Sequence, residues 1–123
     1  TVRATTAVSL AAAATGNYQV AGAKSYLLSK LVTSFPAWVR LYSDATSRSA
    51  DASRTEGNDP LPGSGVIAEI ITTSSALTQL ITPGVLGFNN DTTSTSTIYL
   101  AVTNKDSVSR VITIDLTILQ LEN

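Results

Sequence analysis

The stretch V-I-T-I-D-L-T-I-L-Q-L-E, residues 111–122, alternates apolar and polar side chains with a period of two. Ile112, Ile114, Leu116 and Ile118 fall on one side, and Thr113, Asp115 and Thr117 on the other. Successive side chains of an extended backbone point to opposite faces of a sheet, so this pattern predicts a half-buried β-strand. Burying each of the four apolar side chains contributes about 1.5–3 kcal/mol. A sheet with one apolar face in turn needs a second layer to cover it.

The same period recurs upstream. I-Y-L-A-V at 98–102 predicts another strand. Asn104, Lys105, Asp106 and Ser107 then supply turn chemistry, which predicts a terminal hairpin with the strand that follows. G-V-I-A-E-I-I-T-T at 65–73 reads as a strand in which Glu69 shares the outward side with Ile67 and Ile71. Val66, Ala68 and Ile70 are then expected to point inward. A-W-V-R-L-Y at 37–42 places Trp38, Arg40 and Tyr42 on one side and Val39 and Leu41 on the other. Residues 25–33 precede it, and the two either pair or form one strand bent at Pro36. Shorter candidates lie at 5–10, at 18–21 beyond Thr15-Gly16-Asn17, and at 78–82 before Pro83-Gly84.

Two segments break the pattern. Residues 44–54 are small and polar, and Asp44 suits the N-cap of a short surface helix with Arg48 at the i,i+4 position. Residues 55–64 carry Gly57, Asn58, Asp59, Pro60, Pro62 and Gly63 and predict a long irregular loop. A second loop runs from Phe88 through the Ser/Thr tract ending at Thr97, with mobility expected from its composition. Seven or eight short strands separated by such turns predict an all-β fold. It is a single antiparallel β-sandwich over residues 1–123, jelly-roll-like, with one short surface helix and two long loops.

Composition narrows the chemistry. The 123 residues are 43% hydrophobic and only 14% charged, with net charge -1 and neither Cys nor His. A near-neutral chain with scattered Lys and Arg carries no field for nucleic acid or anionic lipid. No apolar run approaches the roughly 20 residues of a membrane helix, and the start of the chain lacks the basic flank of a secretion signal. The usual donors for zinc and copper are missing, and so are Ser-His and Cys-His nucleophile pairs. Neither nucleic acid nor membrane is therefore expected as a partner, and no cofactor, metal or enzymatic activity is expected.

Asp44, Asp51, Asp59 and Glu69 have the residue types of a paired-carboxylate glycosidase site, but most lie in a polar stretch where Asp caps helices and turns. Asn89-Asn90-Asp91 offers oxygen ligands without the regular acidic spacing of a calcium loop. The same loop beside Tyr99 has the polar-plus-aromatic make-up of a sugar site, in a chain only 6% aromatic. Trp38, Arg40 and Tyr42 are the types that dominate interface hot spots. The alternative is that Trp38 fills the core while Arg40 pairs with an acid such as Asp44 or Asp51. Trp38, Arg40, Tyr42, Asn89, Asn90 and Tyr99 are thus the candidate interface residues, and none is assigned to catalysis. Ser and Thr make up roughly a quarter of the chain. Such an uncharged, strand-forming surface suits close packing with other copies and leaves sheet edges that a lone copy must protect.

A-W-V-R-L-Y at 37–42, D-A-S-R at 51–54, D-P-L-P-G at 59–63 and G-V-I-A-E at 65–69 are followed by P-G-V-L-G-F-N-N at 83–90, L-A-V-T-N at 100–104 and the I-T-I-D-L-T-I-L-Q-L-E ending. In that order, over about two-thirds of the chain, they resemble a group of small virion structural proteins of tailed bacteriophages. The resemblance implies a β-sandwich located in the virion and present in many copies, a trimer or ring contacting other virion proteins. A tail, baseplate or neck position is expected ahead of a capsid decoration role. A glycan-binding attachment module is the less favoured alternative. No catalytic residue is carried over.

Overall fold

The structure is a computed structural model that describes residues 2–123. Eight strands and one helix follow in the order β1 (Val2–Leu10), β2 (Thr15–Ala21), β3 (Ser25–Thr33), β4 (Ala37–Tyr42), α1 (Ala45–Ala50), β5 (Val66–Ile71), β6 (Thr78–Phe88), β7 (Thr97–Asn104) and β8 (Arg110–Glu122). They form two four-stranded sheets, β1-β8-β3-β6 and β2-β7-β4-β5, in which all pairings are antiparallel. Every connection between successive strands except β4 to β5 passes from one sheet to the other. Eight strands interleaved in this way make a jelly roll, the double-sheet form of two Greek keys.

The sandwich core is built as the alternation in β8 predicts. Ile112, Ile114, Leu116 and Ile118 are fully buried, facing a second layer that includes Val39 and Leu41 of β4 and Ile98, Leu100 and Val102 of β7. β8 lies between β1 and β3, and β7 between β2 and β4, so the two most regular apolar strands occupy interior positions in the two sheets.

Several local expectations are corrected. β7 and β8 form no terminal hairpin, because they belong to different sheets. The turn chemistry at 104–107 reverses the chain but does not choose the partner. Buried Asn104 ties this crossover down: its side-chain amide donates to the carbonyls of Leu10, Ala11 and Val108 at 3.0–3.2 Å, while its Oδ1 accepts from the Asp106 N–H at 2.8 Å. The first reversal falls at residues 11–14, where Ala13 adopts φ 63°, and not at Thr15-Gly16-Asn17, which pair with Thr103, Val102 and Ala101.

β3 and β4 neither pair nor form one strand, since the chain changes sheet at residues 34–36. The Thr33 and Thr72 hydroxyls meet there at 2.6 Å, and the Ala37 N–H donates to Thr72 Oγ1 at 2.9 Å. In β5 a bulge opposite Leu41 and Tyr42 shifts the register. Ala68 and Ile70 pack on the core as expected, but Ile67 joins them in place of Val66. β6 continues through Pro83-Gly84 to Phe88, where a strand ending at residue 82 is expected. It is an edge strand, so the N–H that proline lacks is not needed by a neighbour. Residues 81–84 face Ser29 alone, a broad bulge in the pairing with β3.

The helix forms as its cap predicts, the Asp44 carboxylate accepting from the Ser47 N–H at 2.7 Å. Arg48 does not turn back to Asp44. It donates to the Tyr18 carbonyl at 2.8 Å and lies over the Tyr99 ring, pinning α1 to the second sheet.

Candidate functional site

Trp38, Arg40 and Tyr42 project from β4 on the side away from the sandwich core. In register, Arg40 lies between Glu69 of β5 and Ala101 of β7, and Tyr42 lies opposite Tyr99. This outer face is covered by the polar segment that follows β4. Trp38 is 6% exposed, Arg40 2% and Tyr42 1%, so none is an open interface anchor. Nor does Trp38 belong to the sandwich core. It is buried in a separate layer whose polar groups are joined to one another.

Asp51, at the C-terminal end of α1, is the hub. It accepts from Tyr42 Oη at 2.6 Å and from Arg54 Nε and Nη2 at 2.8 and 3.0 Å, the two-pronged geometry suited to guanidinium and carboxylate. Arg40 Nη1 stands 3.7 Å from the same carboxylate. Arg54 reaches on to Glu69 at 3.0 Å, and Glu69 accepts from Trp38 Nε1 at 2.7 Å. The Arg40 guanidinium sits 4.1 Å from the centre of the Trp38 ring, a cation–π contact. Two cations therefore face two carboxylates, and the charge beneath the covering segment balances.

Burial works to raise the Asp51 pKa, but the Arg54 and Tyr42 hydrogen bonds and the two guanidinium charges hold it below the ordinary carboxylate value. Arg54 is pushed up by its bonds to Asp51 and Glu69. Tyr42 is raised by burial and by its bond to Asp51. A carboxylate held ionised among arginines is poorly placed to give up a proton. The arrangement supports Asp51 as a structural strut.

The loop after β6 is organised by Asn89. Its amide donates to Asp91, Thr95 Oγ1 and the Thr97 carbonyl at 3.0–3.1 Å, while its Oδ1 accepts the N–H groups of Asp91 and Thr95. Tyr99 Oη donates to Asp91 at 2.9 Å, which raises the Tyr99 pKa. Exposed Asn90 donates its backbone N–H to the Ser43 carbonyl at 2.8 Å, beside the helix cap. All six sequence-predicted residues thus gather along one side of the β2-β7-β4-β5 sheet. They do so by packing that side together. The Asn89 amide and Tyr99 hydroxyl that would hold a saccharide are already bonded within the loop. Among the described residues no group of three or more His, Cys, Asp or Glu side chains converges as a metal site.

Sequence reasoning missed Arg54 as a partner of Asp51, and it also missed a second surface. On the outward side of β1-β8-β3-β6, Leu27 lies directly between Leu86 of β6 and Leu119 of β8. Phe88 and Leu121 extend this row toward the same end, and all but half-buried Leu27 are exposed. An open groove of about 560 Å³ runs beside it, lined by Leu61, Pro62, Val66, Leu86 and Phe88 among others. The signal was in the alternation: with Ile112 to Ile118 inward at even positions, Leu119 and Leu121 must face out.

Comparisons with protein-family models, curated proteins and solved structures find no match to this chain.

The ionisations give a pH prediction. Asp44, Asp51, Asp106 and Asp115 all have lowered pKa values, from the Ser47, Arg54, Arg110 and Arg3 bonds respectively, with burial opposing this most strongly at Asp51. Their contribution is present above the unfolded carboxylate value and is lost as pH falls through the folded ones, below about 4. Burial raises Tyr26 and Tyr42, whose contribution is complete below the unfolded tyrosine value and fades above about pH 10. With no His or Cys, the side chains leave stability level between about pH 5 and 8. Urea midpoints measured from pH 2 to 11 should trace that plateau and both shoulders.

Proposed function

We propose that this chain is a structural component of a tailed-phage particle, assembling in multiple copies in the tail, baseplate or neck. The observation that carries the reading is an exposed apolar row on the outer face of a closely packed jelly roll. Contiguous apolar surface of this kind marks a site of protein contact. The jelly roll adds support by analogy of fold alone, since the same architecture builds viral capsid domains but also lectins and cupins.

The segments that resemble phage virion proteins add a second line of support. A-W-V-R-L-Y carries Trp38, Arg40 and Tyr42, D-A-S-R carries Asp51 and Arg54, and G-V-I-A-E carries Glu69. These residues build the covered layer. The resemblance therefore lies in what makes the block rigid. A rigid block works mechanically: its sheets hold their shape while its surfaces contact neighbours.

The test is stoichiometry in the particle. Quantitative mass spectrometry of purified tailed-phage particles whose genome encodes this chain should return it in a fixed multiple-copy ratio to the other virion proteins. Localisation by antibody labelling should place it on the tail, baseplate or neck. Its absence from washed particles would overturn the reading, and label on the capsid surface would convert it to a decoration role.

A further inference from the structure

We infer that two copies of this chain pair about a two-fold axis through the outward face of β8, β3 and β6, centred on Leu27, Leu86 and Leu119. The inference rests on the proposed multi-copy assembly and names the surface and the symmetry that would begin it.

The register sets the geometry. Residues directly opposite on neighbouring strands bring their Cβ atoms to about 5 Å, so Leu86, Leu27 and Leu119 form one continuous apolar bar across three strands. Phe88 and Leu121 lie at the same end of the face, Phe88 opposite Ser25 and Leu121 at the register shift between Gln120 and Glu122. Leu86 is 68% exposed, Phe88 51%, Leu119 44% and Leu121 54%. With Leu61 at the groove edge, the set presents on the order of 400 Å² of apolar surface. A standard interface buries about 800 Å² per partner, rather more than half of it non-polar. The face therefore supplies nearly the apolar area that one half of a stable dimer requires.

Charge selects the occupant. The border of the row is of mixed sign: Lys24 precedes β3 and Lys30 lies on it opposite outward Thr117, Glu122 ends β8, and Arg3 pairs with Asp115 farther across the face. In a two-fold contact residue i meets j and j meets i, so a border that carries both cations and an anion can set its own Glu122 against a lysine of the second copy. A partner of single-signed surface would meet repulsion along part of that border. The net charge of -1 adds little repulsion between copies. The open edge of β6 does not offer an equal alternative. Its bulge at residues 81–84 and Pro83 interrupt the backbone groups that sheet-to-sheet extension would use. The copies meet face on.

The experiment is light scattering coupled to size exclusion over a concentration series, on the wild-type chain and on Leu86→Lys/Leu119→Lys. Both positions are exposed, so circular dichroism should stay that of the wild type, and so should the melting curve when both are taken at concentrations where the chain is monomeric. Val111→Lys, exposed on β8 away from the row, is the control. The expected result is a wild-type mass of twice the chain, a dimer constant weakened at least a hundredfold in the double variant, and no change in the control. A wild-type assembly of any size that the double variant leaves intact would overturn this face while leaving the multi-copy reading standing. A wild-type monomer throughout the series would overturn the pairing itself. A dimer that never enters particles would uphold the pairing and remove the virion reading.

Discussion

Ile114→Asp is expected to leave no cooperatively folding protein. Ile114 sits at the middle of β8 with no exposure, paired with Thr6 on β1 and Thr33 on β3. The substitution removes about 1.5–3 kcal/mol of apolar burial. It also places a carboxyl group among apolar core side chains, with only the Thr6 hydroxyl and the Thr33 hydroxyl, already bonded to Thr72, beside it. The further cost is several kcal/mol, roughly 2–7 for a neutral group left without a partner. Together these approach the whole stability of a domain this size, about 5–15 kcal/mol. Ile114→Val, which keeps the site apolar, should lose only about 0.5–1.5 kcal/mol and melt as one transition. Expression in the soluble fraction and a thermal melt followed by circular dichroism separate the two. A soluble Ile114→Asp chain with a wild-type melt would mean that this side of β8 is not the core.

That prediction was legible in the sequence because it depends on one strand and its period. Ile112 to Ile118 alternate without interruption, so their burial follows from backbone geometry alone. Asp44 was legible for a related reason, since capping is local and acts on the turn that follows. What did not follow from the sequence was partnership between strands. The turn residues after Asn104 are those of a hairpin, yet the chain crosses to the other sheet, because β8 takes β1 and β3 as its hydrogen-bonded neighbours and meets β7 only across the core. The bulge opposite Tyr42 likewise exchanged Val66 for Ile67, a one-residue shift invisible in a pattern read strand by strand.

The candidate site divides in the same way. Arg40 beside Trp38 and Tyr42 signals that a buried cation needs an acid, and Asp51 was one of the two acids in reach. That Arg54 and Glu69 complete the set depends on how residues 44–58 fold back over the sheet. The sequence pattern did not contain that path. The apolar row is the opposite case. Leu119 and Leu121 announce their outward direction by parity, but their alignment with Leu27 and Leu86 exists only once β3 and β6 have taken their places.

Asp51→Ala is expected to cost about 3–5 kcal/mol, because it breaks a buried ion pair from one side only. Arg40 would keep its charge at 2% exposure with the Trp38 ring over it, and the carboxylate left opposite it, Glu69, is already held by Arg54 and Trp38. Its Nε has no partner even with Asp51 in place. Tyr42 would lose the acceptor of its hydroxyl, while Arg54 would retain Glu69. Arg40→Met acts from the other side and should cost clearly less. Asp51 would still be held by Arg54 and Tyr42, and the methionine chain would keep much of the contact with Trp38. The double variant Asp51→Ala/Arg40→Met is then expected to be more stable than Asp51→Ala alone, with a coupling of about 1–3 kcal/mol. Urea unfolding of the four proteins at pH 7 measures each leg of the cycle. If Asp51→Ala and Arg40→Met simply add, the two side chains do not act as a pair, and the covering segment is held by Arg54 and Glu69 instead. If the coupling is found, the segment is locked by the charge it hides. Residues 44–58 then belong to the rigid block, and the outer face of β2-β7-β4-β5 stays closed to any partner.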